Sequence, residues 1–364
     1  MNYRLVHPRD LTPDDLARWS DMQSACAEFR SPYFRPEFAQ LVGRLRPRAR
    51  VAVLQTQGDP IGFFPIHLDS RGAAGPLAGT LTDFQGLIAA PDTSVDFPQL
   101  LRGSRLAAWR FDHLLTSQAR HVAQPTRFAD SPYLELSDGF AAYAAARQAA
   151  GSKIASRVRQ MVRKLEREIG PVRLAFHEPG EEATQFVIRS KIEQYHRIAS
   201  VNHLAPDWTR ALLSDIRDFQ SEAFAGVLSV LYAGDRLAAA HLGMRSRDTL
   251  HYWYPAHHAD FEKYSPGLVL LEEVARAAAD QGITRIDLGK GDEPYKARFA
   301  SDVAQVAEGT IDLRPIAGPL CRGLSAARAW VRQSPLRTPA EQLVRGMRTW
   351  RRRTTAKWNG QATT

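Results

Sequence analysis

The sequence predicts a mixed α/β protein made of two similar halves, each with a mixed sheet, followed by a basic helical tail. Three observations carry that reading. The first is a repeated hairpin: RVAVLQTQGDPIGFFPIHL (Arg50–Leu68) and VLSVLYAGDRLAAAHLGM (Val227–Met244) each join two apolar strands through a Gly-Asp turn. Glycine at Gly58 and Gly234 supplies the positive φ that a tight hairpin turn needs. The second is the order of elements around each hairpin, which repeats and points to a duplicated unit. The third is charge. The net charge of +9 lies entirely in residues 315–364, which hold ten Lys/Arg and one acid, Glu341.

Apolar periodicity places the elements. In the first half, helices are expected at Thr12–Ala25 and Pro36–Leu45 before the hairpin. A Gly/Pro-broken strand region Gly75–Ala89, a short helix near Asp96–Leu101 and a strand Arg105–Asp112 follow it. In the second half, a strand Val172–His177 and helices Glu181–Ala199 and Pro206–Gln220 precede the hairpin. A strand Thr249–Pro255, a helix Pro266–Gln281 and a strand Arg285–Gly289 come after. Ser131–Ser137 reads as the last strand of the first half. The divisions expected are 1–137, a helical connector 138–170, 171–314, and the tail 315–364. In the connector Lys153, Arg157, Lys164 and Arg167 share one side of a helix and Ile154, Val158, Met161 and Leu165 another, so it is amphipathic with a basic face.

Composition excludes several classes. The two cysteines, Cys26 and Cys321, are too few for a disulfide framework and match no metal-ligand spacing. The N-terminus lacks the pattern of a secretory signal, and no window holds the 18 or so apolar residues of a membrane span, so a cytoplasmic location is expected. The tail interleaves Trp330, Leu343, Val344, Met347, Trp350 and Trp358 with arginines, which suits either a solvated terminus or an interfacial helix on an anionic membrane or synthase complex. No GxSxG, CxxC, HExxH or GxxxxGK motif is present, and no metal is expected.

Candidate chemistry gathers in the second half. Tyr264-Ser265-Pro266-Gly267 opens an apolar helix: proline is pre-organised for the first turn, Ser265 occupies the cap position, and free amides with the helix dipole favour an anion. Acyl transfer needs a held donor, a polarised carbonyl and a proton acceptor. For the acceptor of the proton, Asp292, in a glycine-flanked loop at a strand end, is favoured over Glu293 and over His241, which is equally readable as a core histidine. Tyr252 and Tyr254 share a strand face and are read as walls of an acyl channel or as plain core. Asp83 and Gln85 in the first half are placed to reach an acceptor, a turn held by the Asp side chain being the alternative.

The segments AAAHLG, YSPG and IDLGKGDEPYKARFA, with SPYFRPEF and TDFQG earlier, resemble the GNAT acyltransferases, and within them the cellulose-biosynthesis (CelD-like) acetyltransferase family. The resemblance spans residues 30–312. It implies tandem GNAT-like domains, acetyl-CoA or a longer acyl-CoA as co-substrate with its phosphates at Lys263, Tyr264, Ser265, Pro266 and Gly267, and Tyr254 nearby. It also implies an acceptor, a sugar or envelope precursor, entering between the halves. By the same resemblance Tyr295 protonates the leaving thiolate, and Lys290 and Lys296 hold a phosphate or carboxylate of the acceptor. GNAT donor loops usually carry more than one glycine, whereas this one has only Gly267. That departure makes the related Fem-type peptidyltransferases, which use aminoacyl-tRNA, the alternative, with a non-enzymatic partner of a membrane polysaccharide synthase as a third.

Overall fold

The computed structural model describes residues 1–90, 93, 96–122 and 127–314. The basic tail lies outside them, and with it the expectations attached to Cys321 and to the Trp/Arg pattern. Among the described residues no helix is long and apolar enough to cross a membrane.

In chain order the first half comprises β1 (Asn2–Val6), α1 (Pro13–Ala25), α2 (Pro36–Leu45), β2 (Ala49–Thr56), β3 (Asp59–Leu68), β4 (Ala74–Gly75), β5 (Ile88–Ala89), α3 (Phe97–Gly103), β6 (Ala108–Leu115), α4 (Thr116–Ala119) and β7 (Arg127–Glu135). Two helices follow, α5 (Gly139–Ala149) and α6 (Ile154–Glu168). The second half comprises β8 (Val172–Ala175), α7 (Glu181–Arg197), α8 (Asp207–Asp218), β9 (Phe224–Ala233), β10 (Arg236–Ser246), β11 (Thr249–His257), α9 (Pro266–Asp280), β12 (Arg285–Asp287), α10 (Pro294–Phe299) and β13 (Asp302–Asp312).

Both hairpins form, the first turning one residue earlier than expected, at Gln57-Gly58, with Asp59 already in β3 and paired to Thr56. Gln57 and Gly58 take φ of 54° and 97° between β2 and β3, and Gly234 takes 58° between β9 and β10. The connector is broken rather than continuous, because Gly151 at φ 82° ends α5 before α6 begins. The final strand, β13, had no counterpart in the sequence reading. All the strands share one sheet, ordered β1-β2-β3-β4-β6-β13-β7-β12-β11-β10-β9-β8, with β5 on β3. The closing strands of the halves are therefore exchanged: β13 lies between β6 and β7, and β7 pairs with β12. Each half completes the other's sheet, so neither edge at the middle is left unpaired.

Packing reinforces the join. Trp19, Phe34, Phe38, Val51 and Phe63 from the first half share a core with Leu212, Ile216, Phe224 and Met244 from the second. Arg30 reaches across to Asp248 and to the Thr284 hydroxyl, both at 2.9 Å.

Helix α9 shows how sequence becomes position. Val269, Leu270, Val274, Ala275 and Ala278 recur at helical spacing and are fully buried, and the same core takes in Leu134, Leu165 and Ile286 from β7, α6 and β12. Pro266 starts the helix. Gly282, at φ 78°, ends it, with the Ile283 and Gly282 amides donating to the Ala278 and Ala279 carbonyls at 3.0 Å.

One residue of α9 conflicts with its setting. Glu272 is buried, and burial pushes its carboxyl up to about 7, against the pull of Arg276 at 3.9 Å. Its folded pKa exceeds its unfolded one. Stability from this residue is thus intact below about pH 4.5 and falls as the pH rises toward 7. Glu272→Gln is therefore expected to raise the thermal midpoint at pH 8 by several degrees, on the order of 2–3 kcal/mol, and to change it little at pH 5. Equal shifts at both pH values in a melting experiment would contradict this.

Candidate active site

The site begins where two parallel strands part. β11 and β12 pair only from Thr249–Arg285 to His251–Asp287, after which β11 runs on to His257 paired with β10 alone. The chain leaving β12 turns the other way: the Leu288 amide donates to the Pro132 carbonyl at 3.0 Å, and Gly289 and Gly291 adopt φ of 71° and 147°. Backbone groups on the β12 side of β11 beyond His251 are consequently left without a ladder partner.

Asp83 from the first half stands at this fork. Its Oδ2 lies 3.0 Å from His251 Nε2 and its Oδ1 3.7 Å from His113 Nε2. Behind His113, Asp112 Oδ1 lies 3.0 Å from Nδ1 and accepts from Gln85 Nε2 at 2.6 Å. Burial works to raise the Asp83 pKa, yet the close approach of His251 at 3.0 Å and the charges of His251, His113 and Lys296 outweigh it and bring it down to about 2. Asp83 is thus a carboxylate at any working pH, with its side chain still 20% exposed. His251 itself is buried, held edge-on by Tyr33 at 5.0 Å and Phe84 at 6.5 Å. Glycine is required opposite: a Cβ on Gly289 would lie 3.1 Å from Asp83 Oδ2, on backbone whose φ is already positive.

The loop after β12 is fixed from below by Lys296. Its buried ammonium donates to the carbonyls of Gly289 and Lys290 at 3.2 and 3.1 Å and lies 2.9 Å from Glu293 Oε2. Lys290 in turn donates to the Asp112 carbonyl at 3.2 Å and to Glu308 at 2.7 Å. Lys191 of α7 belongs to the same field: burial pulls its ammonium down to about 8, Lys296 adding to the effect and Glu293 opposing it.

Of the residues singled out from sequence, the fold therefore brings together Asp83, Gln85, Lys290, Glu293 and Lys296. Asp292 is exposed on the loop between Gly291 and Glu293. His241 is sealed in the sheet, stacked on Tyr252 at 4.0 Å, with its ring nitrogens beside the His251 carbonyl and making no well-formed hydrogen bond. Burial, with the charge of His251, presses its pKa down to about 3, so it is neutral. Tyr252, Tyr254 and Tyr295 carry phenols raised by burial. His251, His113 and Lys191 were not singled out; a histidine alternating with apolar residues in HYWYP was the available signal. Among the described residues no group of three or more His, Cys, Asp or Glu is placed to hold a metal ion.

The helix start at Tyr264–Gly267 has a mixed character. Ser265 turns through the left-handed region at φ 49° without a side-chain cap bond, and a Cβ on Gly267 would meet nothing within 4 Å, so the first turn is open. Tyr264 points inward, buried, and its hydroxyl donates to Glu168 at 2.8 Å. Lys263 lies 3.3 Å from the same carboxylate.

Residues 152–297 match the family model for an acetyltransferase (GNAT) domain, less than half of the chain. Together with the tandem mixed sheet, this gives the class: the chain has a GNAT-type acyltransferase fold. FemX superposes with a TM-score of 0.54 at 9% identity, covering 88% of this chain and 100% of that one. L-PGS from Bacillus licheniformis does so at 0.52 and 12%, covering 87% and 96%. A conserved protein of unknown function from Bacteroides thetaiotaomicron VPI-5482 gives 0.54 and 12%, covering 83% and 98%. At these identities the likeness is one of fold. No curated protein sequence matches the chain.

Proposed function

We propose that the protein is an acyltransferase that moves an acyl group, acetyl in the simplest case, from acyl-CoA to an amino or hydroxyl group of a sugar or cell-envelope precursor. The observation that carries this reading is Asp83, held ionised between two histidines at the fork of β11 and β12. The saccharide acceptor rests on the sequence resemblance alone.

The residues fit a thioester carrier. The unpaired edge of β11 offers backbone donors for a carbonyl, and the open first turn of α9 offers the Gly267 amide for a phosphate. Such a carrier would supply an activated acyl carbon. The chain's own part is to orient the acceptor and take its proton. Asp83 is too weakly basic to do so alone, so the proton goes to the coupled Asp83–His251 pair, the carboxylate being the accessible member and the imidazole sharing the charge behind it. In this reading Asp83 both receives the acceptor and replaces Asp292 as the favoured proton acceptor, because a group on an exposed loop is less well fixed than one held from two sides. Lys296 positions the loop.

The Lys263–Glu168 pair favours a second reading, in which the donor is an aminoacyl-tRNA, since the donor loop's cation is already engaged by a carboxylate. The test is acyl transfer from acetyl-CoA to a panel of amino sugars and other amines, followed as free thiol. Amine-dependent thiol release supports the first reading; transfer only from charged tRNA would replace it with the second.

A further inference from the structure

The corner between α5 and α6 forms an open bowl of about 390 Å³, away from the fork of β11 and β12. Its walls include four cations, Arg147, Lys153, Arg157 and Arg298, and no acid. Among the described residues none of the four side chains enters an ion pair or hydrogen bond, and Arg147 Nε is buried with no partner at all. An unpaired buried guanidinium nitrogen is costly unless something anionic meets it.

The backbone adds to the field. Helix α6 is 15 residues long and its N-cap residue, Lys153, makes no side-chain cap bond; the Ile154 amide donates to the Ser152 hydroxyl at 3.4 Å, and the other first-turn amides and the positive end of the dipole lie at the same corner. The floor is held by Ser152, whose hydroxyl donates to the Arg298 carbonyl at 3.3 Å. Further along α6, Lys164 lies over the Tyr264 ring at 5.3 Å and Arg167 pairs with Glu168.

We infer that this bowl binds the phosphate of a small phosphorylated molecule, separately from the acyl donor. A concave space of this volume suits a metabolite-sized ligand. A nucleic-acid strand would call for cations along a groove several nucleotides long, whereas these converge on one point. The inference does not depend on the acyl-transfer reading. It has a route to the site, however, because Arg298 and Lys296 lie on the same short helix, α10.

Calorimetric titration of the full-length protein with sodium pyrophosphate at physiological salt tests it, using wild type and an Arg147→Gln/Arg157→Gln variant whose melting point is checked against wild type. Arg127→Gln, exposed and far along the chain, controls for general charge loss. The expected result is saturable binding with a Kd of about 1 mM or tighter, weakened at least tenfold in the double variant and unchanged in the control. Absence of binding, or binding that the double variant leaves unaltered, overturns the proposal. So does an equal loss of acetyl-CoA affinity, which would make the bowl part of the donor site. Tighter, variant-sensitive binding of a single-stranded oligouridylate would show a nucleic-acid site instead.

Discussion

Asparagine in place of Asp83 is expected to lower kcat/KM for amine acylation by a factor of about 10²–10³, equivalent to roughly 3–4 kcal/mol of transition-state stabilisation. The side chain keeps its shape but loses the charge that faces His251 at 3.0 Å and His113 at 3.7 Å. The acceptor then meets an amide, and the imidazole behind it has no carboxylate to stabilise its cation. Folding should survive, because the position is partly exposed and Asn still offers a hydrogen bond. Steady-state thiol release with wild type, Asp83→Asn and Asp292→Asn distinguishes the assignments: Asp292→Asn should stay within about threefold of wild type, well inside the range of a lost hydrogen-bond network. A fall confined to Asp292→Asn would move the proton acceptor to the loop.

Alanine at Gly243 is expected to be strongly destabilising and to disturb the site directly. The register of the β10–β11 pair shifts here, one residue of β10, Gly243, standing opposite two of β11, Tyr252 and Trp253, where the two backbones approach closely. A Cβ there would lie 2.3 Å from the His251 carbonyl oxygen and 2.6 Å from His241 Nε2. The carbonyl is strand backbone and cannot rotate away. Relief requires β11 to shift at the residue whose ring holds Asp83. A loss of about 3 kcal/mol or more in urea unfolding is therefore expected, with activity lost in the fraction that remains folded. Gly267→Ala is the contrast: nothing lies within 4 Å of its Cβ, so stability should hold or rise by less than about 1 kcal/mol. Unfolding midpoints that do not separate the two variants would contradict the close approach.

Much of this architecture was legible in the residues. Hairpin turns at Gly58 and Gly234 announce themselves because few residues tolerate positive φ, and Thr12 and Pro36 mark helix starts by capping chemistry that is wholly local. The exchange of β7 and β13 was not legible. DVAQVAEGTID alternates weakly, with Val303 exposed and Val306 and Ala307 buried, and which strand it joins is decided by sheet edges elsewhere in the chain. The site divides along the same line. Asp292 stands out in a glycine-rich loop and Lys296 just after it, but the partnership of Asp83 with His251 spans two halves and is created only when β11 is laid beside the turn after Leu81. The left-handed turn at Ser265 and the engagement of Lys263 by Glu168 likewise depend on α6 packing beside the loop.

Hydrogen exchange read by mass spectrometry, with and without saturating acetyl-CoA, tests the central claim most directly. New protection is expected to be confined to the β11 edge from Tyr252 to Ala256 and to the first turn of α9 around Gly267, the two places where backbone groups lack partners. Protection elsewhere with none at these segments, or protection induced by charged tRNA and not by acetyl-CoA, would contradict it.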